Sequence, residues 1–172
     1  PTLPLDSIER AFELANVKHL IAKRIFFDKL DDLSLNGNKF CLDGKYDNTL
    51  PFADARKMST ERPFVKEVKG DETLIVTMTS GSTGSPKPID LTQNIKYRRA
   101  LAHIKLYEIT KKDIILAATP LYHSLAERLV IIPLIIGGTS VLLPRFTPNK
   151  WLNCVKERQV SFTIAVSAQL GQ

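Results

Sequence analysis

The sequence predicts an α/β fold, a mostly parallel sheet flanked by helices, and three observations carry that expectation. From Asp71 onward, short apolar runs alternate with segments of helical period, the pattern of strands joined by crossover helices. Strong helix punctuation falls between those runs, Thr147-Pro148 at one start and Gly137-Gly138 at one end. With 172 residues, 44% hydrophobic and 24% charged, the chain has the size and composition of one soluble globular domain able to bury a core.

Taken in order, Asp6 followed by Glu9 reads as a capping-box helix start, with Ile8, Phe12 and Ala15 on one face and Asn16 as the stop. "VKHLI" (17–21) and "NKFCLD" (38–43) read as strands. Residues 44 to 70 are polar and irregular, punctuated by Pro51 and Pro63, and a loop of that length is functional, a linker, or short of a partner. "TLIVTM" (73–78) is expected as a buried strand, Thr79 to Lys87 as a loop, and "IDL" (89–91) as a short return strand. Thr92 is placed to cap a helix whose Tyr97, Leu101 and Ile104 share an apolar face. "DIILAAT" (113–119), "TSVLLP" (139–144) and "VSFTIAV" (160–166) complete the strands. An apolar helix over 124–136 and an amphipathic one from Thr147 to Arg158 lie between them, with Trp151 expected in the core. No internal repeat or low-complexity tract is visible.

Net charge is +6 with an isoelectric point near 9.4, which suits an anionic ligand, nucleic acid, an acidic membrane surface, or nothing specific. Lys96, Arg98, Arg99, Lys105, Lys111 and Lys112 concentrate that charge against the single acid Glu108. Without interleaved stacking aromatics they read as a solvated helix face, so no nucleic-acid partner is expected. His19 and His103 have no evident partners. Cys41 and Cys154 lack metal or redox spacing and read as buried, reduced thiols of a cytoplasmic protein. The sequence opens at Pro1 without a basic-then-apolar stretch, so no secretory signal is expected. The longest apolar run, "LVIIPLIIGG" (129–138), contains Pro133 and has about half the length of a membrane span, so a buried helix is expected.

The stretch "TMTSGSTGSPKPIDLT" (77–92) carries the chemistry. Gly81 and Gly84 open backbone angles closed to other residues and let the main chain approach a ligand. Successive N–H groups in such a turn converge on an anion. The hydroxyls of Thr79, Ser80, Ser82 and Thr83 can donate to phosphate oxygens, and Lys87 adds a mobile cation after the stiffening Pro86. The run lacks the Gly-Lys-Ser/Thr ending of a Walker loop and the spaced glycines of a dinucleotide fold. A plain surface hairpin tip of small polar residues is the alternative.

Thr79 to Lys87 closely resembles, over nine consecutive positions, the phosphate loop of the adenylate-forming enzymes: acyl- and aryl-CoA synthetases, peptide-synthetase adenylation domains and beetle luciferases. "PLYHSLAERLVIIPLIIGGTSVLLPRFTP" is similar to that family's next core region, and "LPLDSIERAFELANVKHLIA" to the segment before the loop. The likeness covers most of the chain and is weakest over residues 42 to 70. Departures are Pro88 where the family usually has glycine, Ala126 for a frequent glycine, and Thr92-Gln93-Asn94 for a motif one residue longer. Family members are some three times longer, and nothing here matches their later acidic motif, ribose-binding Asp, hinge or C-terminal lysine.

The resemblance implies that residues 1–172 are a fragment of the large N-terminal AMP-binding domain, with the lysine-bearing C-terminal domain absent. It implies an AMP-forming acid–CoA ligase as the parent, using ATP, Mg²⁺ and CoA, with the fragment alone inactive or nearly so. Thr79, Ser80, Gly81, Ser82, Thr83, Gly84 and Lys87 would bind the ATP phosphates, and His123 would line the acyl-substrate pocket. No acid stands near His123 in "PLYHS", so a fatty or aromatic acid is expected rather than an amino acid, whose buried ammonium would go uncompensated. A non-catalytic binding or scaffold module that keeps the fold is one alternative. A kinase-like transferase is another, and it would need a metal-binding acid pair where this segment offers only Asp90. Sheet edges left open by truncation offer a route to a homo-oligomer.

Overall fold

The structure, a computed structural model, describes residues 4–30, 33, 35–55, 57, 67–80 and 86–171; of Thr79, Ser80 and Pro86 it describes the backbone alone. The chain divides into two units, residues 1–92 and 93–172.

The first unit opens with α1 (Leu5–Leu14), which starts directly after Pro4 without a side-chain cap. Asp6 is therefore not the cap; it sits in the first turn, where its carboxylate faces the positive end of the helix. The stop is as expected. Asn16 takes a left-handed φ of 49°, its N–H donates to Glu13 and that of Val17 to Phe12, so two terminal carbonyls are satisfied at once.

Next come β1 (Leu20–Ala22), α2 (Arg24–Leu30), β2 (Lys39–Cys41), β3 (Leu50–Pro51) and the single turn α3 (Phe52–Ala55). The first two strands are shorter than expected, and β3 and α3 fall inside the stretch expected to be irregular. The order is β1-β2-β3, all parallel. Ile8, Leu30 and Leu33 pack with Phe12 and Leu20 in one cluster, and Phe27, Ala22 and Cys41 in another. The Phe27 and Tyr46 rings stack at 5.4 Å, and the Tyr46 hydroxyl donates to Asp28 at 2.8 Å. At the start of α2 the Arg24 N–H donates to Asp43 at 2.6 Å, which holds that carboxyl below the usual carboxylate range.

The strands β4 (Thr73–Ser80) and β5 (Pro86–Thr92) form an antiparallel hairpin with Thr77 opposite Ile89 and Met78 opposite Pro88. Both strands run further than expected, so Thr79 and Ser80 end β4 and Pro86 and Lys87 begin β5. Pro86 and Pro88 are two apart, so both missing donors fall on one side of β5 and the donors of Lys87 and Ile89 on the other. The buried-strand expectation for β4 is corrected: Leu74, Val76 and Met78 are 36–43% exposed. Among the described residues of this hairpin the buried one is Leu91, on β5, against which α1 packs.

The second unit runs α4 (Gln93–Leu106), β6 (Ile114–Ala117), α5 (Ser124–Ile136), β7 (Thr139–Leu142), α6 (Pro148–Arg158), β8 (Phe162–Thr163) and α7 (Ser167–Leu170). The sheet order β7-β6-β8 is parallel throughout, with Leu116 paired to Val141 on one side and Thr163 on the other. The central strand is buried on both sides, and Ile115 and Ala117 join Ala126, Leu129 and Ile132 of α5 in the core. Thr147 accepts from the Lys150 N–H and Pro148 opens α6, as the sequence predicts. Gly137 ends α5 at φ 69°, and the Gly138 N–H donates to the Pro133 carbonyl at 2.8 Å. The last strand is two residues rather than seven because the chain turns into α7 after it. Trp151 is half-buried and lies outside the core cluster.

The face of α4 differs from the one expected. Lys96 and Ala100 are buried, and Ile104 packs on the core, while Tyr97 and Leu101 are exposed. Glu127 of α5 supplies the reason, because it pairs with Lys96, and Ala100 is small enough for the two helices to approach. One turn further along, the Arg128 guanidinium donates to His103 Nε2 at 2.7 Å, and His103 Nδ1–H donates to the Arg99 carbonyl at 2.8 Å. At the amino end of the sheet Asp113 accepts from the Thr110 N–H at 2.7 Å, the Thr110 hydroxyl at 2.9 Å and the Ser161 hydroxyl at 2.8 Å. These donors hold the Asp113 carboxyl below its ordinary range, the Thr110 N–H foremost.

Candidate functional site

The carboxyl ends of β6, β7 and β8 converge on one cavity of about 600 Å³. Thr119, Pro120 and His123 reach it from β6, Leu143, Arg145 and Phe146 from β7, and Val166 and Gln169 from the turn after β8. Carboxyl strand ends are where parallel sheets collect ligands, because the loops diverge there and leave a crevice. The volume lies within the range of small-molecule sites, about 300–1,000 Å³. An open groove of about 890 Å³ runs instead along β7 against α6, lined by Ser140, Lys150, Asn153 and Glu157. It follows the flank of a strand rather than the strand ends.

Each polar group in the cavity has a distinct state. Gln169 is held at both ends of its amide: the nitrogen donates to the Ala118 carbonyl and the oxygen accepts from the Val166 N–H, both at 3.1 Å. It thereby ties α7 to the end of β6. The Thr119 hydroxyl is buried with no hydrogen-bond partner among the described residues. Arg145 is exposed at the rim. Among the described residues no Asp or Glu lines the cavity.

His123 lines it from the residue that precedes α5. Its N–H donates to the Pro120 carbonyl at 3.0 Å and its carbonyl accepts from the Glu127 N–H at 3.2 Å, so the backbone is fixed. The imidazole lies 4.4 Å from the Tyr122 ring, tilted by 50°, and makes no hydrogen bond among the described residues. His123 therefore stands at the edge of this cavity and is exposed. Ala126, one turn on, is fully buried, so a methyl group occupies the core where glycine was the family expectation.

The loop candidates divide. Thr79 pairs with Lys87 and Ser80 with Pro86 in the hairpin register, and Lys87 is exposed at the start of β5. Gly81, Ser82, Thr83 and Gly84 lie outside the described residues. Asp71 and Glu72 form the turn into β4, where the Glu72 N–H donates to the Lys69 carbonyl at 3.0 Å. Among the described residues no three His, Cys, Asp or Glu side chains gather as a metal site, and no helix is long and apolar enough to cross a membrane.

Thr119, Arg145 and Gln169 carry no local signal in the sequence, since they come from three separate segments. Their shared mark is positional: each follows the carboxyl end of a strand. His103 and His19 were expected to lack partners and both have one. His103 holds Arg128, and His19 Nδ1 accepts from the Asn38 N–H at 3.0 Å.

Comparison with known proteins joins these features. The chain is 32% identical over 98 residues to an indoleacetate–CoA ligase of Aromatoleum aromaticum, covering 56% of this chain and 19% of that enzyme. It is 28% identical over 166 residues to a 2-succinylbenzoate–CoA ligase of Bacillus velezensis, covering 92% and 34%. The o-succinylbenzoate CoA synthetase of Bacillus subtilis, in complex with its acyl-adenylate intermediate, superposes with a TM-score of 0.81 at 23% identity, over 99% of this chain and 42% of that one. The same enzyme in complex with ATP and magnesium ion gives 0.78, over 98% and 33%. At these identities the superpositions establish the shared fold, a mixed α/β arrangement of parallel sheets flanked by helices. The chain spans 16% to 34% of the length of the curated relatives it matches. The family described as AMP-binding enzyme matches residues 1–171, and the chain belongs to that family.

Proposed function

We propose that the protein carrying this sequence is an AMP-forming carboxylate–CoA ligase that activates a fatty or aromatic acid. The observation that carries the proposal is the sequence run Thr79-Ser80-Gly81-Ser82-Thr83-Gly84-Ser85-Pro86-Lys87, whose ends Thr79 and Lys87 pair in an antiparallel hairpin, in a chain of the AMP-binding family. In this reading residues 1–172 are part of the N-terminal AMP-binding domain, and a separate C-terminal domain supplies the lysine that promotes adenylation.

The chemistry has two steps. A carboxylate oxygen of the acid attacks the α-phosphorus of MgATP, the bond to the β-phosphate oxygen breaks, and pyrophosphate leaves an acyl-adenylate. The CoA thiol, losing its proton, then attacks the acyl carbonyl and AMP departs. The hydroxyls and amides of Thr79 to Gly84 hold the β- and γ-phosphates during the first step, and Lys87 offsets the charge that builds on pyrophosphate. Positioning and electrostatic stabilisation are the main tasks of a protein in phosphoryl-type chemistry.

The cavity beside His123 holds the organic part of the acid. Its lining of Leu143, Phe146 and Val166 suits an alkyl or aryl body, and among the described residues no acidic side chain lines it to pair with the ammonium of an amino acid. A cytoplasmic setting belongs to the same proposal, supported by two cysteines that form no disulfide.

The test is carboxylate-dependent exchange of labelled pyrophosphate into ATP by this protein, followed by thioester formation when CoA is added. Exchange driven by fatty or aromatic acids supports the ligase. ATP binding without exchange for any acid would make the protein a binding module that has kept the fold alone.

A further inference from the structure

We propose that His103 is an acid-sensitive latch between α4 and α5: neutral, it holds Arg128, and on gaining a proton it lets Arg128 go. The inference stands apart from the ligase reading and concerns the second unit alone.

The two partners fix the state of the ring. A carbonyl oxygen accepts and never donates, so the nitrogen 2.8 Å from the Arg99 carbonyl, Nδ1, carries the hydrogen. A guanidinium donates and never accepts, so the nitrogen 2.7 Å from Arg128, Nε2, is bare. The neutral Nδ1–H tautomer makes both contacts at once, and the other two forms of the ring each lose one. A second proton would go to Nε2, removing the acceptor and setting an imidazolium against a guanidinium.

The surroundings do little to absorb that charge. Among the described residues α4 carries Lys96 and Arg99 one and two turns before His103, with Tyr107 one turn after it. From α5 come Glu127 and Arg128, and Glu127 is already engaged by Lys96. Glu108 lies past the end of α4 and is exposed, while β8 contributes the uncharged ring of Phe162, 5.2 Å from Tyr107. His103 and Arg128 are both half-buried, so water screens the two cations only in part.

The strain would reach the end of α4. The Tyr107 ring lies 5.8 Å from the imidazole, its N–H donates to the His103 carbonyl, and the Ile109 N–H donates to the Ile104 carbonyl, both at 3.0 Å. Local opening of this turn separates the two cations at the expense of those two bonds. Imidazole ordinarily changes charge between about pH 5 and pH 8, so mild acid is the trigger.

The experiment is amide hydrogen exchange on the protein carrying this sequence at about pH 7.5 and about pH 5.5, expressed as protection factors so that the intrinsic pH dependence cancels. Protection of the Tyr107 and Ile109 amides should fall about fivefold on acidification, the scale of losing one contact to a charged group at a half-buried position. The Val160 amide, which closes α6 on the Val155 carbonyl, is the internal control and should change by less than about twofold. His103→Gln keeps a donor and an acceptor but cannot titrate, and Arg128→Met removes the opposing cation, so either change should abolish the fall. Long-range proton–nitrogen spectra of the unmodified protein should show the Nδ1–H tautomer at neutral pH, a readout that depends on no variant. Unchanged protection at Tyr107, an equal fall at Val160, a fall that persists in either variant, or an Nε2–H tautomer would each overturn the latch.

Discussion

Lys96 and Glu127 form an ion pair buried between α4 and α5, the lysine side chain being 7% exposed and the glutamate 15%. Charge at such a position is costly to leave alone, because both ions have given up water. Glu127→Ala strands the ammonium and should lower unfolding free energy by about 3–5 kcal/mol. The double replacement Lys96→Met with Glu127→Leu, which removes both charges and keeps volume, should be near neutral. Urea unfolding of the parent protein and these two variants reads both outcomes. A loss well under 1 kcal/mol (roughly, the value of an exposed pair) for Glu127→Ala would place the pair in water rather than in the helix interface.

Acid should loosen the start of the parallel sheet. Asp113 binds Thr110 and Ser161, and its folded carboxyl is held below its unfolded value by those donors. A group depressed on folding contributes stability that is fully present above its unfolded pKa, about 3.9, and is lost as pH falls through the folded value. Asp43, depressed by the Arg24 N–H, acts in the same direction. The melting temperature should therefore fall as pH drops below about 4, and Asp113→Asn should be less stable at neutral pH with a shallower acid limb. Parallel acid limbs for the two proteins would show that Asp113 contributes nothing to the pH dependence.

Gly137 ends α5 in the left-handed region at φ 69°, with open space where a side chain would stand. Gly137→Ala should therefore cost about 1–2 kcal/mol through backbone strain alone, without a clash. Gly138→Ala is the control, since its Cβ would make ordinary contact with Ile136 at 3.5 Å and needs no left-handed backbone. Chemical denaturation should rank the glycine at 137 as the more costly of the two.

The parts of the fold legible in the sequence are those set by local chemistry. Thr147-Pro148, Gly137-Gly138 and Asn16 mark helix ends because capping and left-handed backbone depend on one or two residues. The inward face of α4 was hidden because it is decided by a partner 31 positions away: Lys96 looks like a surface residue until Glu127 is placed beside it. The Asp6 misreading has a similar origin, since Pro4 already supplies backbone geometry suited to a helix start and leaves the acid inside the first turn. Among the candidate residues, the Ser/Thr/Gly run from Thr79 to Lys87 and the Tyr122-His123 pair stand out as contiguous stretches. Thr119 and Arg145 do not, because β6 and β7 must pair before they share a cavity.

The sequence run from Thr79 to Lys87 is central, and the most direct measurement is carboxylate-dependent pyrophosphate exchange after Lys87→Ala, with binding of the same carboxylate followed alongside. The replaced lysine should lower exchange by about 100-fold or more, the scale of losing one fixed electrostatic contact to a departing anion, and should leave acid binding unchanged. Exchange at the unmodified rate would contradict the role given to Lys87 and, with it, the grip of this loop on ATP.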